Sequence, residues 1–251
     1  MIITVANQKG GVGKTDLSVN LASCLAKTGK RILLVDLDPQ ANATYYLSGK
    51  KYKLTTHDLL TKDDVGVKDV AVETGIDGLF LAPSHHKLSA AQAELINDIG
   101  MQFKLKKKLK NIGKKDKYDY VFIDTPPSLN VLTINAMTTS DGVIVPVQVH
   151  HLAVEGMEKI VNTVDLVRRE INPGIEINGF VLTMYDKRNK LSRQIEKDVR
   201  SRFGDKVFRS TIPVNIDLAR APRSHKPIIH HSSESRGAYA YRRLAKEFES
   251  R

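Results

Sequence analysis

Residues 2–16 read IITVANQKGGVGKTD. An apolar, β-branched run gives way to a loop with three glycines. The loop opens a stretch in which Leu17, Leu21 and Leu25 recur at a helical spacing. Strand, glycine loop, helix is the context a phosphate-binding loop requires. Gly10, Gly11 and Gly13 let backbone amides converge on phosphate oxygens with no Cβ in the way, and the helix start adds its positive dipole end. In that arrangement Lys14 reaches the terminal phosphates and the Thr15 hydroxyl ligates Mg²⁺. Gly10, Gly11, Val12, Gly13, Lys14, Thr15 and Asp16 are therefore the candidate nucleotide-binding residues. A glycine-rich turn with no ligand is the plain alternative, and it leaves the full spacing from Ala6 to Thr15 unexplained.

Outward from this loop the 251-residue chain keeps alternating. RILLVDLD (31–38), LFLAP (79–83), YVFID (120–124), GVIVPV (142–147) and INGFVLTMY (177–185) read as strands, and VFRSTI (207–212) as a further one. Helical patterns cover 15–28, 88–111, 129–138, 152–171, 190–203 and 235–249. The alternation implies an α/β fold: a doubly wound, mainly parallel sheet with helices on both faces. Residues 48–78 are the least regular. No internal repeat or long linker divides the chain, so a single domain over 1–251 is expected, with no helix-turn-helix ahead of the first strand.

Composition narrows the setting. No apolar run approaches the roughly 20 residues of a membrane-spanning helix. The first residues lack the basic start and cleavage site of a signal peptide. Cys24 is the only cysteine, which excludes intramolecular disulfides and cysteine metal clusters and points to the cytoplasm. The net charge is +11, unevenly spread. Residues 186–251 hold 17 Lys and Arg against 8 Asp and Glu, and residues 101–118 hold 8 lysines against Asp116. Two basic blocks on a mildly acidic body suggest a surface for a polyanion, although each block alone fits a solvated helix face equally well.

Three acids end strands at the edge where such sheets bind ligands. Asp36 and Asp38 lie two apart, so both carboxylates can share one face of a strand. Asp124 closes YVFID. An isolated aspartate at a strand end is usually a turn former; three beside one phosphate loop favour a metal and a water.

The KGGVGKT form, with Lys9 ahead of the glycines, resembles the deviant Walker A motif of the ParA/MinD superfamily. LLVDLDPQAN (33–42) and YVFIDTPPS (120–128) resemble its second motif and its Walker B segment. In that family the extra lysine crosses a nucleotide-sandwich dimer to the partner's phosphates. The resemblance thus implies a catalytic set of Lys9, Lys14 and Asp38, with Asp38 handling the attacking water. It implies Thr15, Asp36 and Asp124 around Mg²⁺, and ATP as the nucleotide. Asp16 stands where the family usually has a threonine near the α-phosphate. A carboxylate suits the helix dipole but opposes a triphosphate, so weakened nucleotide affinity is expected.

Residues 179–213 and 212–228 are similar to the ParA/Soj branch, the partition ATPases. By that resemblance Pro213, Val214 and Asn215 are candidate adenine contacts, with Met184 a further one that core packing explains equally well. The branch implies a homodimer in the ATP state that binds double-stranded DNA without sequence preference. It also implies slow hydrolysis stimulated by a ParB-like centromere-binding protein, at the nucleoid. The family pattern has arginines where this chain has Val214 and Asp217, and glutamate where it has Arg220. The DNA-contact set is therefore expected to shift, with Arg188, Lys190, Arg220, Arg223 and Lys226 as candidates and the lysines at 104–110 as a possible extension. Two rival readings remain. A MinD-type membrane-associated positioning ATPase would use Tyr241, Leu244, Ala245 and Phe248 as an apolar helix face, where core docking is the better explanation. An ATP-dependent metabolic synthetase would need a second catalytic constellation, and the His85-His86, His150-His151 and His230-His231 pairs do not supply metal-site spacing.

Overall fold

The computed structural model describes residues 1–96, 98–110, 112, 118–150 and 153–251. The 113–117 part of the second basic block, residues 97 and 111 of the expected 88–111 helix, residue 152 and His151 lie outside the described residues.

Among the described residues one sheet holds seven strands: β1 (Ile2–Val5), β2 (Ile32–Asp36), β3 (Val72–Glu73), β4 (Leu79–Ala82), β5 (Tyr120–Asp124), β6 (Gly142–Gln148) and β7 (Glu176–Thr183). Their order is β3-β4-β2-β5-β1-β6-β7. Every pairing is parallel except β3 with β4. Successive side chains of a strand point to opposite faces, and β2 shows the result. Ile32 and Leu34 join the core under helices Lys14–Lys27 and Arg236–Glu249. Leu33 and Val35 join the core of the opposite face, with Leu132 and Ala136 of helix Val131–Thr139. Being covered on both sides is why β2 is apolar throughout until Asp36. The doubly wound architecture read from the sequence is the one observed.

The order places β1 between β5 and β6. The phosphate loop leaves β1 and so emerges between the ends of β5, carrying Asp124, and β6. The last helix turns Tyr241, Leu244, Ala245 and Phe248 into the core, each at most 7% exposed. That face packs against helix Lys14–Lys27 and is not presented to a lipid surface. Among the described residues no helix is long and apolar enough to cross a membrane.

Two expectations are corrected. VFRSTI (207–212) is not a strand. It follows β7 at both ends, where Phe208 N donates to Phe180 O at 2.9 Å and Ile212 N to Leu182 O at 2.8 Å. Between them Arg209 N and Ser210 N donate instead to the Glu247 carboxylate, at 2.7 and 2.8 Å. The amides a strand would need are taken by a residue of the last helix. The 88–111 helix is two pieces, Leu88–Ile96 and Lys104–Leu109. Gly100 lies between them at φ 73°, a left-handed conformation that ends helices and favours glycine. The irregular 48–78 segment forms two short helices, Thr56–Thr61 and Val67–Val70, and the edge strand β3.

Candidate active site at the β1 loop

Gly11 and Gly13 sit at φ 73° and 87°. A Cβ on Gly11 would meet nothing within 4 Å, so the backbone conformation, and not crowding, demands glycine there. The loop is tied down from three directions. Asn7 Nδ2 donates to Pro146 O at 2.7 Å, Asn7 Oδ1 accepts from Lys9 N at 3.0 Å, and Thr183 Oγ1 donates to Val12 O at 2.8 Å. Lys14 lies buried under the loop with its Nζ donating to Lys9 O at 3.2 Å. Burial pushes its pKa below the usual lysine value, against the pull of Asp124 and Asp38. A buried, desolvated cation beneath converging amides is suited to an anion.

Asp124 is gripped by two hydroxyls of the following helix, Thr15 Oγ1 on Oδ2 at 2.8 Å and Ser18 Oγ on Oδ1 at 2.9 Å. Burial pushes its carboxyl up to about 7 in spite of those bonds, and Asp38 adds to the rise. Burial, with Asp124 nearby, pushes Asp36 up to about 8. Asp36 Oδ1 accepts from Asp38 N at 3.1 Å, and Oδ2 accepts from both Thr44 N and Thr44 Oγ1, at 2.8 and 2.7 Å. Asp36 is a brace for the 38–44 turn. Ser84 completes the brace, donating its amide to Thr44 Oγ1 and its hydroxyl to Asp38 O. The turn holds Asp38, whose Oδ1 accepts from Gln40 N at 2.9 Å, buried within electrostatic reach of Lys14.

Among the described residues no group of three or more acid, histidine or cysteine side chains could hold a metal by itself. One carboxylate, one hydroxyl and a loop for phosphates suit Mg²⁺ all the same, because that ion is commonly held by one or two carboxylates together with substrate phosphates and water. The residues present fit ATP with Mg²⁺.

Asp16 is half-buried, its Oδ1 is out of solvent with no hydrogen-bond partner, and burial pushes its carboxyl up to about 6. Lys9 stands exposed at the lip, its Nζ 2.6 Å from His150 Nε2. Of the expected adenine contacts, Pro213 pairs with Tyr185, the residue after Met184, and Tyr185 N donates to Ile212 O at 3.0 Å. Met184 takes φ 52°, rare for a non-glycine residue. Val214 is 69% exposed. Asn215 Oδ1 caps helix Ile216–Arg220 by accepting from Leu218 N, so that oxygen is already committed.

The basic candidates divide. Arg188 is paired with Asp186 at 3.2 Å. Lys190 begins helix Lys190–Phe203, and Arg220, Arg223 and Lys226 are exposed. A set that was not foreseen lines a cleft of about 460 Å³: Arg209, Arg236 and Arg243, with Tyr185 and Tyr239. Among the described residues no carboxylate forms an ion pair with those three arginines. Arg236, Tyr239 and Arg243 recur at helical spacing on one face, a signal present in the sequence. Arg209 gave none, since its segment read as a strand. Ser18 was also missed, although it lies one helical turn after Thr15.

A family model described as an AAA domain matches residues 1–177. The sporulation initiation inhibitor protein Soj of Bacillus subtilis is 46% identical over 98% of this chain and 97% of its own length. The chromosome partitioning protein ParA of Caulobacter vibrioides is 44% identical over 100% of this chain and 94% of its own. Among solved structures, cobyrinic acid a,c-diamide synthase from Mycobacterium smegmatis, with bound ATP analog and magnesium, superposes with a TM-score of 0.84 at 35% identity, covering 98% of this chain and 92% of that one. Identity of this order, sustained from end to end in both partners, means that the chain belongs to the Soj/ParA family of chromosome-partitioning ATPases.

Proposed function

We propose that this chain is a nucleotide-driven partition switch that pairs on ATP, holds DNA without sequence preference while paired, and lets go after hydrolysis. The observation that carries the reading is the joint geometry of the β1 loop: a glycine cradle over buried Lys14, the Thr15–Asp124 pair, and a second lysine exposed at the lip. Mg²⁺, held by Thr15 and by Asp124 directly or through water, would neutralise phosphate charge. Lys14 holds the terminal phosphates. Asp38, fixed by the Asp36–Thr44–Ser84 brace, orients the attacking water. Met184, Pro213 and Val214 border the base. Lys9 reaches into the partner's site, where an added cation in trans has the logic of an arginine finger, worth about 10³–10⁵ in rate.

Pairing doubles the basic surface, and phosphate contacts add. DNA affinity should then fall with salt by about 0.9 log unit per contact for each log unit of salt. Arg220, Arg223 and Lys226, Arg188 and Lys190, and the cleft arginines Arg209, Arg236 and Arg243 are the proposed contacts. Hydrolysis is stimulated by a ParB-like protein with a basic segment, and the site of action is the nucleoid. The test is DNA binding by wild type and Lys9→Ala with ATP, ADP and no nucleotide, at two salt concentrations. Binding by the wild type with ATP alone, lost in the variant, is expected. Equal binding with ADP and ATP overturns the switch.

A further inference from the structure

Lys9 already has a partner inside its own subunit. Its Nζ lies 2.6 Å from His150 Nε2 and 3.5 Å from Gln148 Oε1. Gln148 ends β6, the neighbour of β1, and His150 lies two residues beyond it, so the sheet order itself sets both acceptors beside the loop. An ammonium only donates, so His150 meets it as a neutral imidazole that accepts at Nε2 and carries its proton on Nδ1. Asn7 and Gln8 of the loop, with Glu155 and Lys159 of helix Ala153–Glu170, line the same shallow cleft of about 270 Å³. Glu155 is the obvious counter-ion for Lys9, but it is bound to Lys159 at 2.7 Å. The imidazole takes the ammonium instead.

We propose that His150 is an internal acceptor that retains Lys9 in cis and competes with the triphosphate of a second copy, so that two subunits close only when both ammoniums leave their imidazoles. The inference rests on the reading that Lys9 acts across the dimer. Each contact is a charge-assisted hydrogen bond at a partly exposed site, so each is worth little alone. Closure releases two of them, which makes the summed effect on pairing about tenfold. Protonation of His150 would replace an acceptor with a like charge. Among the described residues, the charged groups that line its cleft are Lys9 from the loop and Glu155 and Lys159 from the helix. Glu155, hydrogen-bonded to and attracted by Lys159, sits below the ordinary carboxylate range and stays ionised between pH 6 and 8, the window in which an imidazole titrates.

The test is pairing measured by analytical ultracentrifugation with a non-hydrolysable ATP analogue and Mg²⁺, at pH 6 and pH 8, for wild type, His150→Ala, His150→Gln and Lys9→Ala. At pH 8 His150→Ala should pair at about tenfold lower protein concentration than wild type, while His150→Gln, which keeps an acceptor, stays within about twofold. Wild type should pair more readily at pH 6 than at pH 8, and His150→Ala should lose that dependence. Equal midpoints for wild type and His150→Ala at pH 8, or the same pH dependence in both, overturn the retention role if Lys9→Ala still fails to pair. Pairing of Lys9→Ala at the wild-type concentration overturns the cross-dimer reading, and the retention role falls with it.

Discussion

Thr15 and Asp124, 109 residues apart in the chain, are joined by a 2.8 Å hydrogen bond from the threonine hydroxyl to Oδ2. With Ser18 on Oδ1, both oxygens are held by the helix that follows the phosphate loop. On the proposed reading Thr15 binds the metal, whereas Ser18 holds the carboxylate alone. Ser18→Ala should lower magnesium-dependent hydrolysis by about 10–100-fold, the usual loss for an outer partner of a metal ligand, and Thr15→Ala should lower it further. Phosphate release measured across a Mg²⁺ titration checks the order; a larger loss in Ser18→Ala would reverse the assignment.

Burial raises Asp124 to about 7 and Asp36 to about 8 in the nucleotide-free chain. An acid whose folded pKa is raised favours the fold while protonated. Its contribution is full below the unfolded value near 4 and is lost as pH rises through the folded value. Removing the acid at Asp124 should therefore help most at high pH. Asp124→Asn without nucleotide should melt about 2–4 °C above wild type at pH 8, with the gap closing toward pH 5. Thermal melts of the two proteins at matched pH read this directly, and a gap that grows on acidification contradicts the sign.

Asp16 Oδ1 is enclosed without a partner, and such a group costs about 1–3 kcal/mol. On the proposed reading it also opposes phosphates held by the neighbouring loop. Asp16→Thr should bind ATP about tenfold more tightly in calorimetry and melt at a higher temperature, since a hydroxyl is neutral and can both donate and accept. Unchanged or weaker affinity would mean that the carboxylate serves the bound state.

Arg236 and Arg243 project from one face of the last helix into the cleft that Arg209 completes. If this cleft grips the DNA backbone, Arg236→Glu with Arg243→Glu should weaken binding uniformly across sequences and flatten the salt slope by about 2 for each subunit bound. The same reversal at Arg220 and Arg223 is the control for the outer surface. An unaltered slope in the first pair assigns the grip to the second.

How far the sequence could be read follows from how local each cause is. Gly11 and Gly13 announce themselves because the left-handed backbone there tolerates little else. The placement of Asp124 beside Thr15 was legible because it closes an apolar strand of the same parallel sheet as the phosphate loop. The hydrogen bonds of Asp36 were not, because they depend on Thr44 folding back across eight residues. The 207–212 segment has the composition of a strand and lost its ladder to Glu247, a residue 37 positions away from Ser210. The break at Gly100 was written in the chain and outweighed by the helical pattern around it. Lys9 was noticed as an extra cation, while its imidazole neighbour needed the order of the strands to be known.

Glu247 has a consequence for how this molecule behaves among its own copies. β7 ends the sheet, and an open border of that kind is a template on which another polypeptide can stack and begin a fibre. By drawing the amides of Arg209 and Ser210 aside, the carboxylate leaves over that border a segment that covers the strand without itself offering a continuous row of donors. The strand that ends the sheet is thus sealed against unscheduled growth.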